Sequence, residues 1–204
     1  MLIEQPPLLY RAFFPGAIWR IDSSAKNVFL TFDDGPIPHI TPWVLDILDC
    51  YQIKATFFCV GDNVRKHPEI YQMILDRGHT VGNHTFSHVQ GLPMSSKSYM
   101  DNVIKAEHYI KSEYFRPPHG HLRFSQYFKL RKRYKVIMWD VVTRDYSKRM
   151  TAQGVFNVVK KKTRNGSIIV FHDSLKAKER IKVALPLSIE WLLAQGYTFQ
   201  SINI

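Results

Sequence analysis

Short apolar runs alternate with helical patterns from residue 27 to the end of the chain. The runs are rich in β-branched and aromatic residues, and their length of a few residues predicts strands rather than helices. They cover residues 28–32, 55–60, 80–83, 114–116, 135–139, 167–171 and 197–202. Seven strands separated by helical spacers imply parallel strands joined by crossover connections.

Residues with helix-start and helix-stop signals fill the spaces between these runs. Thr41 followed by Pro42 predicts an N-cap and a proline in the first helical turn. The other signals are starts at His67-Pro68 and Thr151 and stops at Gly78, near Gly166 and at Gly196. The fold class is therefore α/β, either a closed or nearly closed barrel or a doubly wound sheet. The lack of a glycine-rich phosphate loop after the first strand disfavours a nucleotide-binding fold.

Composition places the chain among ordinary globular proteins. Of its 204 residues, 45% are hydrophobic and 22% charged, which excludes a disordered tail, a collagen-like rod and a coiled coil. We expect an N-terminal arm at residues 1–26, packed on or beside the barrel, and one catalytic domain at residues 27–204. Cys50 and Cys59 lie in apolar runs and are predicted to be buried thiols, with a single disulfide as the alternative.

The N-terminus lacks the features of an export signal. Glu4 and the Pro6-Pro7 pair interrupt the first apolar residues. No apolar run approaches the roughly 18 residues needed to span a bilayer. We therefore expect a cytoplasmic or peripheral membrane-associated protein. The arm has a second interpretation, as an interfacial anchor that places Phe13, Phe14 and Trp19 among lipid headgroups.

The chain is basic, with 28 Lys and Arg against 17 Asp and Glu and a formal charge of +11. The cations cluster at residues 129–135, 160–164 and 176–182. These clusters fit either solvated helix faces or contact with an anionic glycan or membrane surface. No nucleic-acid-binding motif accompanies them, so a nucleic-acid partner is not expected.

Reactive side chains follow four of the predicted strands. In both parallel α/β architectures, ligands bind at the carboxyl ends of the strands, so these side chains are expected at one rim. Asp33 and Asp34 end the first strand, and two adjacent carboxylates can divide metal binding and proton transfer between them. The alternative is a pair of aspartates that only form the turn before Gly35 and Pro36.

His84 and His88 are spaced so that two imidazoles lie on one helical face or around one turn. Together with Asp34 they would form a metal site with positions left open for water and substrate, which is the catalytic pattern. Capping or surface histidines are the alternative. His172 emerges at the end of a buried strand and is a candidate general acid, because imidazole titrates near neutral pH.

Other charged and ring-bearing residues follow the same strands. Arg116 could pair with the base carboxylate, and Asp145 could hold His172 and raise its pKa. For both, an ordinary loop or surface role is the alternative. His119 and His121 lie in the loop after the fourth strand, where they could touch a substrate.

The chain resembles the polysaccharide deacetylases, the carbohydrate esterases of family four. The resemblance spans roughly residues 27–203 and rests on five motifs in the family's order: TFDDGP (31–36), NHTFSH (83–88), RPPHG (116–120), WDVVTRDY (139–146) and VFHD (170–173). It implies a distorted (β/α) barrel with about seven parallel strands. It also implies a hydrolase that releases acetate from N-acetylated sugars of peptidoglycan or chitin-like glycans, or O-acetyl groups from xylan.

The same resemblance implies roles for individual residues. A divalent metal, usually zinc and sometimes cobalt or nickel, would be held by Asp34, His84 and His88. Asp33 would be the general base, positioned by Arg116. The general acid would be His172, with Asp145 tuning it.

Three residues depart from the family's usual pattern. His119 replaces a common aromatic residue, Tyr146 a tryptophan, and Val170 a leucine that lines the acetate pocket. With Trp139, these are the expected substrate contacts. Two alternatives to a glycan deacetylase follow: a metal-dependent hydrolase of a small non-glycan amide, and a non-catalytic glycan-binding module.

Overall fold

The computed structural model describes residues 4–21 and 24–204. Within them the chain forms eight strands, eight α-helices and a 3₁₀ turn at Pro118–Gly120. The strands are β1 Asn27–Asp33, β2 Thr56–Cys59, β3 Thr80–Asn83, β4 Tyr114–Phe115, β5 Lys135–Val136, β6 Val141–Val142, β7 Ser167–His172 and β8 Thr198–Phe199. The helices are α1 Leu8–Ala12, α2 Thr41–Cys50, α3 Gly61–Lys66, α4 Pro68–Asp76, α5 Ser96–Glu107, α6 Phe124–Leu130, α7 Ala152–Lys162 and α8 Lys178–Ala194.

The strands form one parallel sheet in the order β5-β4-β3-β2-β1-β7-β6, and β8 pairs with the start of β1. β1 lies between β2 and β7, and its register places Asp33 beside Phe58 of β2 and His172 of β7. The sheet curls into a partly open barrel, which confirms the predicted distorted barrel of about seven parallel strands. Since every strand is parallel, all carboxyl ends meet at one rim.

Alternation along β1 determines which side chains enter the barrel. Neighbouring residues of a strand point to opposite faces. Val28, Leu30 and Phe32 belong to the buried cluster shared with α2, α7 and α8. On the other face, Phe29 packs with residues such as Ile168 at the bottom of the barrel. The next two residues on that inner face are Thr31 and Asp33, so the polar groups lie at the rim end.

The N-terminal arm lies across the open side of the barrel. Ile18 forms a parallel bridge with Ile137, just after β5, and Arg20 an antiparallel bridge with Ser167 of β7. The Ile18 carbonyl accepts a hydrogen bond from the N–H of Met138 at 2.7 Å. The arm therefore bridges the β5 end of the curled sheet and β7, the strand next to its other end. Residues 1–3 and 22–23 of the predicted arm lie outside the described residues.

The aromatic residues of the arm divide into two groups. Phe14 and Trp19 are buried in the cluster that contains Tyr127 and Trp139. Since they are enclosed by protein, they are not available to a lipid headgroup region. Phe13, by contrast, is 50% exposed. Among the described residues, no helix is both long enough and apolar enough to cross a membrane.

Three local predictions need correction. Thr41 is the first residue of α2 rather than its N-cap, and its hydroxyl bonds elsewhere. Cys50 is exposed at the end of α2, while Cys59 is buried in β2, and both thiols are free. β6 was not predicted as a strand, because two residues are too short a run to show a pattern.

Candidate active site

The turn after β1 brings two carboxylates to the rim. Asp33 ends the strand facing the barrel, and Asp34 has a φ of 85°, which turns the chain sharply. A Cβ on Gly35 would lie 2.0 Å from the Asp173 carboxylate, so only glycine fits there. The Asp173 carboxylate accepts hydrogen bonds from the Gly35 N–H at 3.1 Å and from the Thr41 hydroxyl at 2.5 Å. Burial, above all, raises the pKa of Asp173 to about 8.

Asp34, His84 and His88 come together at this rim. The Nε2 atom of His88 lies 3.0 Å from Oδ1 of Asp34, and Nε2 of His84 lies 3.9 Å from the same oxygen. The three candidate ligand atoms lie within 4.8 Å of one another. Burial alone would raise the pKa of Asp34. The hydrogen bond from His88 and the charges of His172, His88 and His84 outweigh burial and hold the pKa well below its usual range.

The two histidines lie around a turn rather than on a helix. Residues 84–88 are irregular, and Thr85 and His88 have φ values of 66° and 52°. The Nδ1–H of His84 donates to the carbonyl of Arg116 at 2.7 Å, which leaves the lone pair of Nε2 facing Asp34. Burial lowers the pKa of His84 to about 4 and favours the neutral ring that a metal requires.

This donor set fits a divalent metal ion. Two imidazole nitrogens and one carboxylate oxygen are typical of catalytic zinc sites, where further positions stay open. The orientation of His84 is the supporting observation in the chain itself: its hydrogen bond to a backbone carbonyl fixes the ring with Nε2 pointing inward.

A buried ion pair holds the first carboxylate, Asp33. Nη1 of Arg116 donates to Oδ1 of Asp33 at 2.6 Å. Arg116 is fully buried, and its guanidinium also donates to the Thr31 hydroxyl at 2.7 Å and the Met138 carbonyl at 2.9 Å. The guanidinium carbon lies 4.0 Å from the ring centroid of Phe58. Desolvation lowers the pKa of Arg116, while Asp33 acts in the opposite direction.

A second ion pair holds His172, which ends the neighbouring strand β7. Nδ1 of His172 lies 2.7 Å from Oδ1 of Asp145, and the backbone N–H of His172 donates to the other carboxylate oxygen at 2.8 Å. Burial alone would lower the pKa of His172. The Asp145 carboxylate, with smaller contributions from Asp34 and Asp33, outweighs burial and raises this pKa to about 9.

A cavity of about 240 Å³ opens between the two pairs. Its lining includes the side chains proposed for chemistry: Asp33, Asp34, His84, His88 and His172. Arg116 and Asp145 lie behind Asp33 and His172 and not in the cavity wall. The rim therefore presents a carboxylate, a ligand set and an imidazole to one cavity.

The predicted substrate contacts also line this cavity: His119, Trp139, Tyr146 and Val170. The His119 ring centroid lies 4.8 Å from that of His88, and Tyr146 packs edge-on against His172 at 4.8 Å. Burial lowers the pKa of His119 to about 4. His119 has a φ of 59°, and a Cβ on the next residue, Gly120, would lie 2.1 Å from Trp139.

Three further residues contribute to the site although their sequence context did not mark them as candidates. Gln90 and Lys176 line the cavity but lie in loops, where no pattern indicates which way a side chain points. Asp173 supports the turn at Gly35. Its position directly after His172, at the end of a buried strand, could have indicated that Asp173 belongs to the site.

Comparison with known proteins agrees with this geometry. The family model described as polysaccharide deacetylase matches residues 20–136. The chain is 31% identical over 194 residues to a peptidoglycan-N-acetylglucosamine deacetylase of Bacillus cereus, covering 91% of this chain and 90% of that protein. It is 31% identical over 206 residues to the peptidoglycan-N-acetylmuramic acid deacetylase PdaA of Bacillus subtilis, covering 95% and 74%.

A solved structure gives the same result for the fold. The crystal structure of the Bc1960 peptidoglycan N-acetylglucosamine deacetylase, in complex with a substituted N-hydroxybenzamide, superposes with a TM-score of 0.88. The identity is 29%, and the match covers 96% of this chain and 94% of that one. The fold, the matched residues and the identities lead to one conclusion. The chain belongs to the polysaccharide deacetylase family, and it is a hydrolase of that family.

Proposed function

We propose that the chain hydrolyses the N-acetyl group of an amino sugar within a glycan and releases acetate. Asp34, His84 and His88 are the proposed ligands of a divalent ion, zinc by preference, with cobalt and nickel as alternatives. A divalent ion held there would supply Lewis acidity, which acidifies water and polarises an amide carbonyl. The 3.0 Å and 3.9 Å separations of the two histidine nitrogens from Asp34 support this set of ligands.

Asp33 is the proposed general base. Its carboxylate lines the cavity and is oriented by Arg116 at 2.6 Å. It takes a proton from the water that attacks the acetamide carbonyl. Arg116 does not contact the cavity, so its proposed role is to position Asp33 and to compensate a buried negative charge.

His172 is the proposed general acid. The C–N bond of an amide breaks readily only when the departing nitrogen receives a proton, and His172 is held in its protonated form by Asp145. The proton moves from Nε2, since Nδ1 is held by Asp145. The products are acetate and a free amino sugar. This need for a proton donor favours an N-acetyl over an O-acetyl substrate.

The substrate class follows from the family and from the names of the relatives, which act on N-acetylglucosamine or N-acetylmuramic acid in peptidoglycan. We propose an N-acetylglucosamine-containing glycan. His119 and Tyr146 are the proposed contacts that adapt the cavity to it, because both line its wall at positions where the family resemblance implies another aromatic residue and a tryptophan.

One observation carries this proposal: Asp33 and His172, each held from behind by a partner of opposite charge, line the same cavity as the candidate ligand set. The test is acetate release from chitooligosaccharides, peptidoglycan fragments, acetylated xylan and nucleotide- or lipid-linked N-acetyl sugars. Each substrate is assayed with chelator and again after zinc or cobalt is restored. We expect chelator-sensitive release from an N-acetylated glycan.

The ligand set has its own test. His84→Asn should abolish stoichiometric binding of zinc, while His39→Asn, at an exposed histidine, should leave it intact. Release that survives complete metal removal, or zinc bound equally by both variants, would overturn the proposed metal site. Release confined to small non-glycan amides would overturn the proposed substrate.

A further inference from the structure

Outside the active site, α1 and α6 expose a group of large apolar side chains on one surface. Leu9 and Phe13 are 75% and 50% exposed, and Phe124 and Phe128 are 55% and 47% exposed. Each pair has i,i+4 spacing, so its two members lie on the same side of the chain. The rings of Phe13 and Phe124 lie 6.0 Å apart, which joins the two pairs. We call Leu9, Phe13, Phe124 and Phe128 the apolar patch.

Buried contacts fix α1 and α6 relative to each other beneath this patch. Phe14 packs edge-on against Tyr127 at 5.2 Å, and the Tyr127 hydroxyl donates to the carbonyl of Pro15 at 2.7 Å. The patch is therefore a built surface with a packed layer under it. Large apolar residues clustered on a surface in this way are typical of sites that contact another protein or a membrane.

The charge around the patch has one sign. Residues 5–21 contain no Asp or Glu, and residues 114–139 contain seven Lys and Arg and no Asp or Glu. Arg116 lies inside the barrel, and Arg133 and Lys135 pair with Glu107 and Glu113. Within the described part of the chain, no salt bridge engages the other four cations: Arg123, Lys129, Arg131 and Lys132.

These cations lie next to the exposed rings. The guanidinium carbon of Arg131 is 5.9 Å from the ring centroid of Phe128. Arg131 and Lys132 follow Phe128 by three and four residues, in the turn directly after α6, and both are exposed. Aromatic side chains bordered by unpaired cations match the interface of an anionic bilayer, where rings enter the headgroup region and cations contact phosphate.

The helix α1, which carries Leu9 of the patch, also contacts the wall of the cavity. The Tyr10 hydroxyl, on α1, donates to the carbonyl of Gly120 at 3.0 Å, and Gly120 lines the cavity. Nε of Arg123, at the start of α6, donates to the carbonyl of Leu92 at 2.8 Å, and Leu92 is 49% exposed. A surface held on a membrane by α1 and α6 would therefore keep the cavity close to that membrane.

We propose that the apolar patch and its four cations dock the protein on the surface of a bilayer that contains anionic lipids. Two copies of the chain would oppose the same positive charges at this surface, which disfavours self-association through it. The proposal is independent of the proposed function, because it concerns residues outside the cavity.

The test is co-sedimentation of the full chain with vesicles of phosphatidylcholine alone or of equimolar phosphatidylcholine and phosphatidylglycerol. We expect strong binding to the anionic vesicles and weak binding to the neutral ones. Because each cation near an anionic surface strengthens binding, Arg131→Glu with Lys132→Glu should weaken binding by at least about tenfold. Phe124→Ser with Phe128→Ser should weaken it by a similar factor.

Matched variants on other helices serve as controls. Lys160→Glu with Lys161→Glu on α7 makes the same change in net charge, and Val183→Ser with Leu193→Ser on α8 removes two exposed apolar side chains. Both should bind vesicles like the unaltered chain. The far-UV circular dichroism spectrum should be the same for the patch variants as for the unaltered chain, which checks their folding without relying on the proposed activity.

Three results would overturn the proposal. The first is no binding of the unaltered chain to anionic vesicles. The second is equal weakening by the patch variants and their controls, which would indicate attraction by net charge alone. The third is that the unaltered chain forms a concentration-dependent dimer, or is retained on an insoluble glycan, and that the patch variants lose this property but still bind vesicles. The patch would then contact protein or glycan rather than a bilayer.

Discussion

The two sides of the active site hold their reactive groups with partners of opposite charge. Asp33 is paired with the Arg116 guanidinium at 2.6 Å, and His172 with the Asp145 carboxylate at 2.7 Å. Neither partner lines the cavity. A buried cation stabilises the ionised form of a neighbouring carboxylate, which can accept a proton. A buried anion stabilises the protonated form of a neighbouring imidazole, which can donate one. The charge of the buried partner, positive for Arg116 and negative for Asp145, thus distinguishes the proposed base from the proposed acid.

The two buried partners, Arg116 and Asp145, differ in how many contacts they make with the rest of the barrel. Arg116 contacts Thr31, Met138 and the face of Phe58 as well as Asp33, so it is part of the barrel interior. The carboxylate of Asp145 bonds to His172 through both oxygens. We therefore expect loss of Arg116 to damage folding and chemistry together, and loss of Asp145 to affect mainly the titration of His172.

The largest effect is expected for Arg116→Met. It leaves a buried carboxylate unpaired, which costs about 3–5 kcal/mol of unfolding free energy. The double variant Arg116→Met with Asp33→Asn removes both charges and should recover part of that loss. Denaturant unfolding of the two variants measures the difference. A double variant no more stable than the single one would show that the pair does not account for the role of Arg116.

Asp33→Asn is expected to lower kcat by about 10³-fold, because a general base contributes roughly 10²–10⁴-fold. Zinc binding should persist, since Asp34, His84 and His88 are unchanged. Asp101→Asn, at an exposed aspartate of α5 paired with Lys97, is the matched control and should retain full activity. Near-normal turnover by Asp33→Asn would remove this residue from the base role.

Asp145→Asn should change how stability depends on pH. The folded pKa of His172, about 9, lies above its unfolded value of about 6.5, so this group stabilises the fold fully below pH 6.5. That contribution is lost as pH rises through about 9. The metal-free unaltered chain should therefore lose up to about 3 kcal/mol relative to Asp145→Asn across this window. Parallel stability curves for the two proteins would contradict the assignment.

Thr41→Val is expected to have the smallest effect, and it tests the turn that lies between the two pairs. The hydroxyl of Thr41 donates to Asp173 and accepts from the N–H of Ile37 at 2.7 Å. Because valine has nearly the same shape as threonine, the variant loses these hydrogen bonds with little change in packing. The loss should cost about 1–3 kcal/mol of unfolding free energy, with a modest fall in kcat. Thr151→Val, at the N-cap of α7, is a control that should lower stability without lowering kcat.

The sequence contained enough information to place the rim, but not all of its supports. The run at residues 80–83 coincides with β3, and the run at 28–32 falls within β1, and both strands are almost entirely buried in the core. The bond from Thr41 to Asp173 joins residues 132 positions apart, and no local pattern encodes it. Tertiary contact therefore overrode the capping signal at Thr41.

Helical periodicity could have corrected the prediction for Cys50. Leu45 and Leu48 face the core from α2, and Cys50 lies about 200° around the helix from Leu48, on the solvent side. The four-residue spacing of His84 and His88 is compatible with either a helix or a turn. The positive φ values of Thr85 and His88 explain why the turn forms, and such backbone conformations are not visible in residue type.

The central claim is that hidden partners of opposite charge assign the two proton roles, and the pH dependence of kcat tests it most directly. The measurement uses the zinc-loaded enzyme and Asp145→Asn on a soluble chitooligosaccharide. Because Asp145 raises the pKa of His172, its loss should move the high-pH limb of the profile to lower pH and leave the low-pH limb in place. A high-pH limb at the same position in both proteins would contradict the account.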